Sequence, residues 1–298
     1  MSSSELNDSD LGDVLEMYVA VSYRLHQHFA PPGSPAVDAV QETGSLPVAD
    51  VWASAHLFML AAHEHLTLLA AGLRHPRVSS AIFTLGRAAQ ENAARALWVL
   101  DPADDVRGSV ARHYALVLND LAQLARVAQQ QGAREHADAV RRLESMASRA
   151  RRSGFSVGKL SLRPEVDAQR APGSAELATV GLAHESAWAG AALFSLASSV
   201  AHGSVSGLMQ TMQIENFEDL TLAPRLTPQD AGLSVAAPLL SHGLAYRELA
   251  RQLGYPLDET WRLTRQQVMD AVTRRLDLTK GSAHTHVNDH HGTVRQTV

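Results

Sequence analysis

The sequence predicts an all-α protein, a multi-helix bundle, and three observations carry that expectation. Ala and Leu are abundant while aromatic residues make up 5% of the chain, a bias toward helix formers over strand formers. Apolar residues recur at three- and four-residue spacing, as in Leu11, Val14, Leu15, Tyr18, Val19 and Leu25, the stripe of a helix with one buried face. Runs of alternating Val, Ile, Thr and Tyr, the mark of a half-buried strand, are scarce. With 298 residues, 45% of them hydrophobic, the chain has material for one large or two small domains.

The first helix is predicted over Leu11–Phe29 with Asp10 as its cap. A Pro-rich loop follows to Pro47, because Pro31, Pro32, Gly33 and Pro35 oppose continuation of the helix. Residues 1–46 thus form an acidic N-terminal helix and loop ahead of a bundle over 47–280. Helices are expected over Ala49–Leu73 and Val78–Leu100, the latter stopped by Asp101-Pro102. Two more run from Asp104 to Gln131 and from Ala133 to Arg152, hinged at Gly132. The Gly- and Pro-containing stretch 154–174, with Lys159, Arg163 and Arg170, reads as a basic connector and the best internal boundary. A long helix rich in Ala, Ser and Gly is predicted over Ala175–Met212, at the centre of the bundle, since small residues let helices approach closely. The last helices are Gln229–Leu253, with Pro238 as a kink, and Leu257–Leu276. Residues 281–298 carry His284, His286, His290 and His291 without helical periodicity and read as a disordered His-rich tail that binds metal only by accident of composition.

Several chemistries are excluded at this level. No Cys is present, which removes disulfides, thiol nucleophiles and thiolate metal sites. No phosphate-binding glycine loop of the two commonest kinds occurs, Gly203-Ser204-Val205-Ser206-Gly207 has Val where a nucleophile elbow needs Ser, and no Glu-x-x-His pair supports a di-iron site. Ser156-Val157-Gly158-Lys159 matches a two-position serine–lysine motif but lacks its companions. No cofactor and no metal are expected. The N-terminus is Ser-rich and acidic rather than basic and apolar, and no stretch reaches a membrane span, so a soluble cytoplasmic protein with no membrane partner is expected.

Three groups of residues can carry chemistry. His56, His63 and His65 share one helix, with His56 and His63 nearly two turns apart on one face. They line the edge of the core, or His63 faces a pocket and binds ligand. Arg87 and Glu91 can pair at i,i+4, as can Glu91 and Arg95, amid small apolar neighbours that leave a carboxylate either on a narrow solvated stripe or buried and paired. Ser198 and Ser199 stand one turn before His202, so either hydroxyl can orient the imidazole, whose expected partner across the bundle is Glu91.

The run Arg87-x3-Glu91, Trp98, Asp101-Pro102, Arg107 and Arg112, followed much later by Ser198-x3-His202-Gly203, resembles a family of all-helical proteins common in actinobacteria. That family is in turn similar to the HEPN-like superfamily of helical bundles, which includes metal-independent ribonucleases. The resemblance covers about residues 49–210 and implies a polar cluster formed between the Glu91 helix and the His202 helix. Catalytic members carry an Arg followed four to six residues later by His. Arg107-x5-His113 has that spacing, with Gly108 where those members place a polar residue.

Charge is distributed unevenly. Residues 1–50 hold eight acids and one Arg, whereas 134–170 hold nine Lys or Arg and five acids, within a chain of net charge −5. The basic segment is a solvated helix, a weak site for an anionic ligand or RNA, or the seat of the acidic region of a second copy in a homodimer. The leading expectation is a bundle that binds an anionic or nucleotide-like ligand, or a partner protein, through a polar cleft of Arg87, Glu91, Arg112, Ser198 and His202, with His63 as a further ligand contact. The rival is an enzyme, an RNA-cleaving or metabolite-tailoring catalyst, with Glu91 and His202 as an acid–base pair and Arg112 stabilising negative charge. A purely structural dimerisation module is the third alternative.

Overall fold

The computed structural model describes residues 8–28, 30–44, 46–75, 80–103, 105–180, 187–204, 207, 212–216, 221–224 and 226–282. Among them the helices are α1 (Asp8–Ser22), continued by a 3-10 turn (Tyr23–Gln27), α2 (Pro35–Thr43), α3 (Val48–Leu73), α4 (Ser80–Val99), α5 (Val106–Gln131), α6 (Ala133–Arg152), α7 (Ser174–Val180), α8 (Ala187–Ala201), α9 (Pro228–Gln252) and α10 (Glu259–Ser282). Two small antiparallel hairpins complete them: β1 (Glu165–Val166) with β2 (Gln169–Arg170), and β3 (Met212–Asn216) with β4 (Thr221–Pro224). The protein is a helical bundle, as composition requires. No described helix is long and apolar enough to cross a membrane.

At the centre α4 packs between α3 and α9, and α8 lies on α4 as well. Helices α1 and α10 close one side, and α5 and α6 pair on the other. One continuous core runs through them, from Leu11, Leu15 and Tyr18 through Met59, Leu66 and Ile82 to Val235, Leu239, Leu249 and Val268. The tightest joint is between α4 and α9. Pro238 inside α9 has no N–H for the carbonyl of Ser234 four residues earlier, and its ring pushes that carbonyl outward. The displaced oxygen meets Gly86 of α4, where a Cβ would lie 2.3 Å from it. Glycine is required there because only an α-hydrogen fits between the two backbones.

Several expected boundaries move, each for a local reason. The first helix already includes Asp8, so Asp10 lies within it rather than capping it, and the helix tightens to 3-10 geometry from Tyr23. Its expected end, Phe29, lies outside the described residues. The Pro-rich loop contains α2, because Pro35 stands at the start of a helix, where its missing N–H costs nothing, with Ser34 in the N-cap position. Helix α5 is capped by Asp105, whose carboxylate accepts from the Gly108 N–H at 2.7 Å. The basic connector holds the β1–β2 hairpin, turned by Asp167 and Ala168 with positive φ values of 47° and 66°. Asp167 is held in that conformation by the N–H of Ser156 and the guanidinium of Arg107.

The expected single helix Ala175–Met212 is the largest departure. Its described parts are α7 and α8, and Met212 opens β3. Helix α8 stops because Gly203 adopts φ 65°, while the N–H of Ser204 donates to the Ser199 carbonyl and that of Gly203 to the Val200 carbonyl, the paired bonds of a left-handed glycine stop. The central place expected for it belongs to α3, α4 and α9. At the other end α10 continues through Ser282, past the expected start of the tail at 281; residues 283–298, with the four tail histidines, lie outside the described residues.

Candidate functional site

Helix α4 puts Arg87, Glu91 and Arg95 on one stripe by its four-residue spacing. The Arg87 Nε donates to Glu91 Oε1 at 2.9 Å, and Arg95 Nη2 lies 3.9 Å from Glu91 Oε2. Its Arg87 end faces α8: the Arg87 Cζ sits 5.0 Å from the centre of the Phe194 ring, and Arg87 Nη1 lies 3.0 Å from Nε2 of His202, just beyond the end of α8, while the Arg95 Cζ lies 5.9 Å from the Phe58 ring of α3. A guanidinium only donates, so Nε2 accepts and the ring proton is carried on Nδ1. The Arg87 and Glu91 side chains retain 17% and 16% of their exposure, so the pair is shielded from solvent far more than a surface ion pair.

Of the residues expected in the polar cleft, Arg87, Glu91 and His202 come together, with roles other than those expected. Glu91 and His202 are not bonded to each other; Arg87 stands between them and binds both. Neither serine holds the imidazole: the Ser199 hydroxyl donates to the Leu196 carbonyl, and Ser198 contributes its backbone carbonyl to the N–H of His202. The space beside the cluster, walled by Phe83, Gly86, Arg87, Gln90 and Leu196 among others, is about 10 Å³, at or below the volume one water needs. That space holds no substrate, but it is lined by neither Glu91 nor His202, and His202 is exposed.

Arg112 belongs to a different set. Buried at 8% exposure, it donates to the Trp98 carbonyl at 2.7 Å, pairs with Asp101 at 3.0 Å and lies over the Trp98 indole. It ties the end of α4 to α5 instead of entering the Arg87 cluster. Arg107 and His113 also diverge: Arg107 reaches the Gly154 carbonyl and Asp167, while His113 Nδ1 meets the Ser54 hydroxyl at 3.0 Å. Burial lowers the pKa of His113, partly offset by Asp50.

His63 is buried in the core. It packs among Tyr23, His26 and His242, with ring centres 5.1, 5.6 and 6.3 Å away. His26 Nδ1 and His56 Nε2 share a hydrogen bond of 2.9 Å, and Tyr18 and His242 share one of 2.7 Å. Burial pulls His63 down to about 4, and burial followed by the neighbouring His56 and His63 pulls His26 to about 3. His242 is driven well below its ordinary value, first by complete burial. These are neutral imidazoles serving as polar parts of a core. His26 and His242 were not anticipated as members, because they come from segments remote in sequence and only packing unites them. Among the described residues no three His, Asp or Glu are placed to hold a metal ion.

Open space lies on the outer side of α4 and α5. A groove of about 710 Å³ is lined by Arg95, Asn119, Gln123, Arg126 and Arg163, with Asp120, Glu176 and the apolar Leu116, Val127 and Leu162. Glu176 is occupied: it accepts from Arg163 at 2.6 Å and from the Gly173 N–H at 2.5 Å, and those bonds, the backbone one first, hold its carboxyl below the usual range. Arg95 joins this groove to the inner cluster, since the same side chain lies against Glu91. A second groove of about 700 Å³ between α5 and α6 is edged by Arg141, Arg142, Arg149 and Arg152. Much of the basic segment is nevertheless paired within the chain, Arg141 with Asp138, Arg149 with Asp50 and Arg163 with Glu176. The acidic region thus meets the basic one partly inside a single copy.

Comparison with protein-family models, with curated proteins and with solved structures finds no match to this chain.

Proposed function

We propose that the protein binds an anionic, phosphate-bearing or nucleotide-like small molecule, and that the ligand sits in the groove outside α4 and α5 rather than in the Arg87 cluster. The observation that carries the reading is the lining of that 710 Å³ groove by Arg95, Arg126 and Arg163 beside the amides of Asn119 and Gln123. Guanidinium groups supply forked donors for phosphate or carboxylate, and side-chain amides supply orientation. Glu91, gripped by Arg87, holds Arg95 at the groove wall, so the inner cluster acts as a positioning element. The Arg87 contact with His202 anchors that element to α8.

The rival reading with Glu91 and His202 as an acid–base pair has little support in this geometry: each is already bound by Arg87, which stands between them. A ribonuclease built on Arg107 and His113 is disfavoured by their separate partners. Within this proposal the protein is a cytoplasmic, HEPN-like bundle, and RNA or a second copy of the chain is a weaker occupant of the Arg141–Arg152 face.

Calorimetric titration with pyrophosphate and with ADP tests the reading. Binding should weaken about tenfold in Arg126→Gln, the loss of one charge-assisted contact, and should weaken as salt is raised. Absence of binding at millimolar ligand, or binding unchanged in the double variant Arg95→Gln/Arg126→Gln, overturns it.

A further inference from the structure

The anion groove does not end at Leu162. A second depression of about 350 Å³ adjoins it, and Arg126 and Leu162 line both. The chemistry changes across that shared wall. The first compartment carries three arginines beside Asp120 and Glu176; the second is walled mainly by Ala122, Ala125, Val140, Leu143 and Leu160, with Gln129, His136 and Glu144 among its polar members. Helix α5 runs beneath both, from Leu116 and Asn119 under the first to Gln129 under the second, a span of ~20 Å at the rise of a helix. Leu162, at the junction, is 47% exposed, and Val127, in the first compartment, is 50% exposed. Large side chains left this open along a concave strip mark a surface suited to an apolar occupant.

We infer that the ligand is a single-chain amphiphile, with a phosphate or carboxylate head between Arg95 and Arg126 and an apolar tail lying over Leu162 into the second depression. This rests on the anion-binding reading above and narrows it to a ligand class. The charge complement fixes the head at one end, and the apolar floor fixes the tail at the other. A free nucleotide or inorganic anion would leave the second depression unfilled. Burying methylene groups strengthens binding in proportion to their number, so tail length is the variable that reads out the second compartment.

The test compares methyl phosphate, octyl phosphate and dodecyl phosphate, below their micelle-forming concentrations, by calorimetry on the full chain. Dodecyl phosphate should bind at least a hundredfold tighter than methyl phosphate, Leu162→Gln should cut that ratio about tenfold, and Arg126→Gln should weaken all three alike. Leu162 is exposed, so its replacement leaves the core intact, and an unchanged circular dichroism spectrum verifies this. Pyrophosphate binding with no gain from tail length overturns the amphiphile inference and leaves the anion reading standing. Failure of every phosphate probe overturns both. Equal binding of dodecyltrimethylammonium removes the anionic head and overturns the inference, as does binding only to phosphatidylglycerol vesicles, which would make the strip a membrane-docking face.

Discussion

Acidification from about pH 7.5 to pH 5 should destabilise the protein through the histidines packed behind α1. His63 is 6% exposed, and burial takes its pKa from 6.5 to about 4. A base whose folded pKa is depressed binds fewer protons when folded than when unfolded, so its contribution to stability is complete above about 6.5 and is lost as the pH falls toward 4. At pH 5 the unfolded imidazole is almost wholly protonated and the folded one almost wholly neutral, and linkage gives a loss of ~2 kcal/mol from this one residue. His26 and His242 shift in the same direction and can only add to it. The groups around them are Tyr18 of α1, Tyr23 of the 3-10 turn, His56 of α3, and Tyr246 of α9; none is a carboxylate that would compensate a proton. Glu176, held low by Gly173 and Arg163, titrates below this window, and His113, also lowered by burial, adds to the loss within it. Urea unfolding followed by tryptophan fluorescence, at a series of pH values, measures the loss. His63→Phe keeps a ring against Tyr23 and removes the titrating group, so its pH dependence should be shallower by ~2 kcal/mol over the same range. Stability that is flat from pH 7.5 to 5, or a slope unchanged in His63→Phe, refutes the reasoning.

Three other outcomes follow from named contacts. In a double-mutant cycle, Glu91→Gln and His202→Asn should couple only while Arg87 is present, and the coupling should vanish in an Arg87→Met background; persistent coupling measured by chemical unfolding would mean direct contact between the two. Gly86→Ala should cost ~1–3 kcal/mol or more, since its methyl group meets the Ser234 carbonyl within van der Waals distance, and a melting temperature equal to the parent's would show that α4 and α9 can part freely. Arg112→Lys should lose ~2 kcal/mol, because an ammonium cannot serve the Trp98 carbonyl, Asp101 and the Trp98 ring together; full stability by calorimetry would sink that account.

The bundle was legible because it depends on local properties. Helices α3, α5 and α6 fall within one or two residues of the boundaries that apolar spacing and Gly132 indicate, and α4 ends one residue before the Leu100 that Asp101-Pro102 marks. What failed did so where short signals compete. Pro35 reads as a breaker in a run of prolines, yet it starts α2. Gly203 looks like one more small residue in an Ala- and Ser-rich stretch, yet in the left-handed conformation it ends α8. Two-residue strands such as Glu165–Val166 carry too few side chains for any alternation to show.

The candidate site divides along the same line. The sequence by itself determined that Arg87, Glu91 and Arg95 share a face, because helical spacing is a property of one segment, and it singled out His202 as a polar group in need of a partner. Only the tertiary structure decided that Arg87 would take the place between Glu91 and His202, that Arg112 would be occupied at Trp98, and that His63 would join His26 and His242 in the core. Which charge meets which depends on how α4, α5 and α8 are rotated against one another, and that rotation is set by contacts such as Gly86 against Ser234. Those contacts join residues far apart in the chain, and no periodicity within a single helix encodes them.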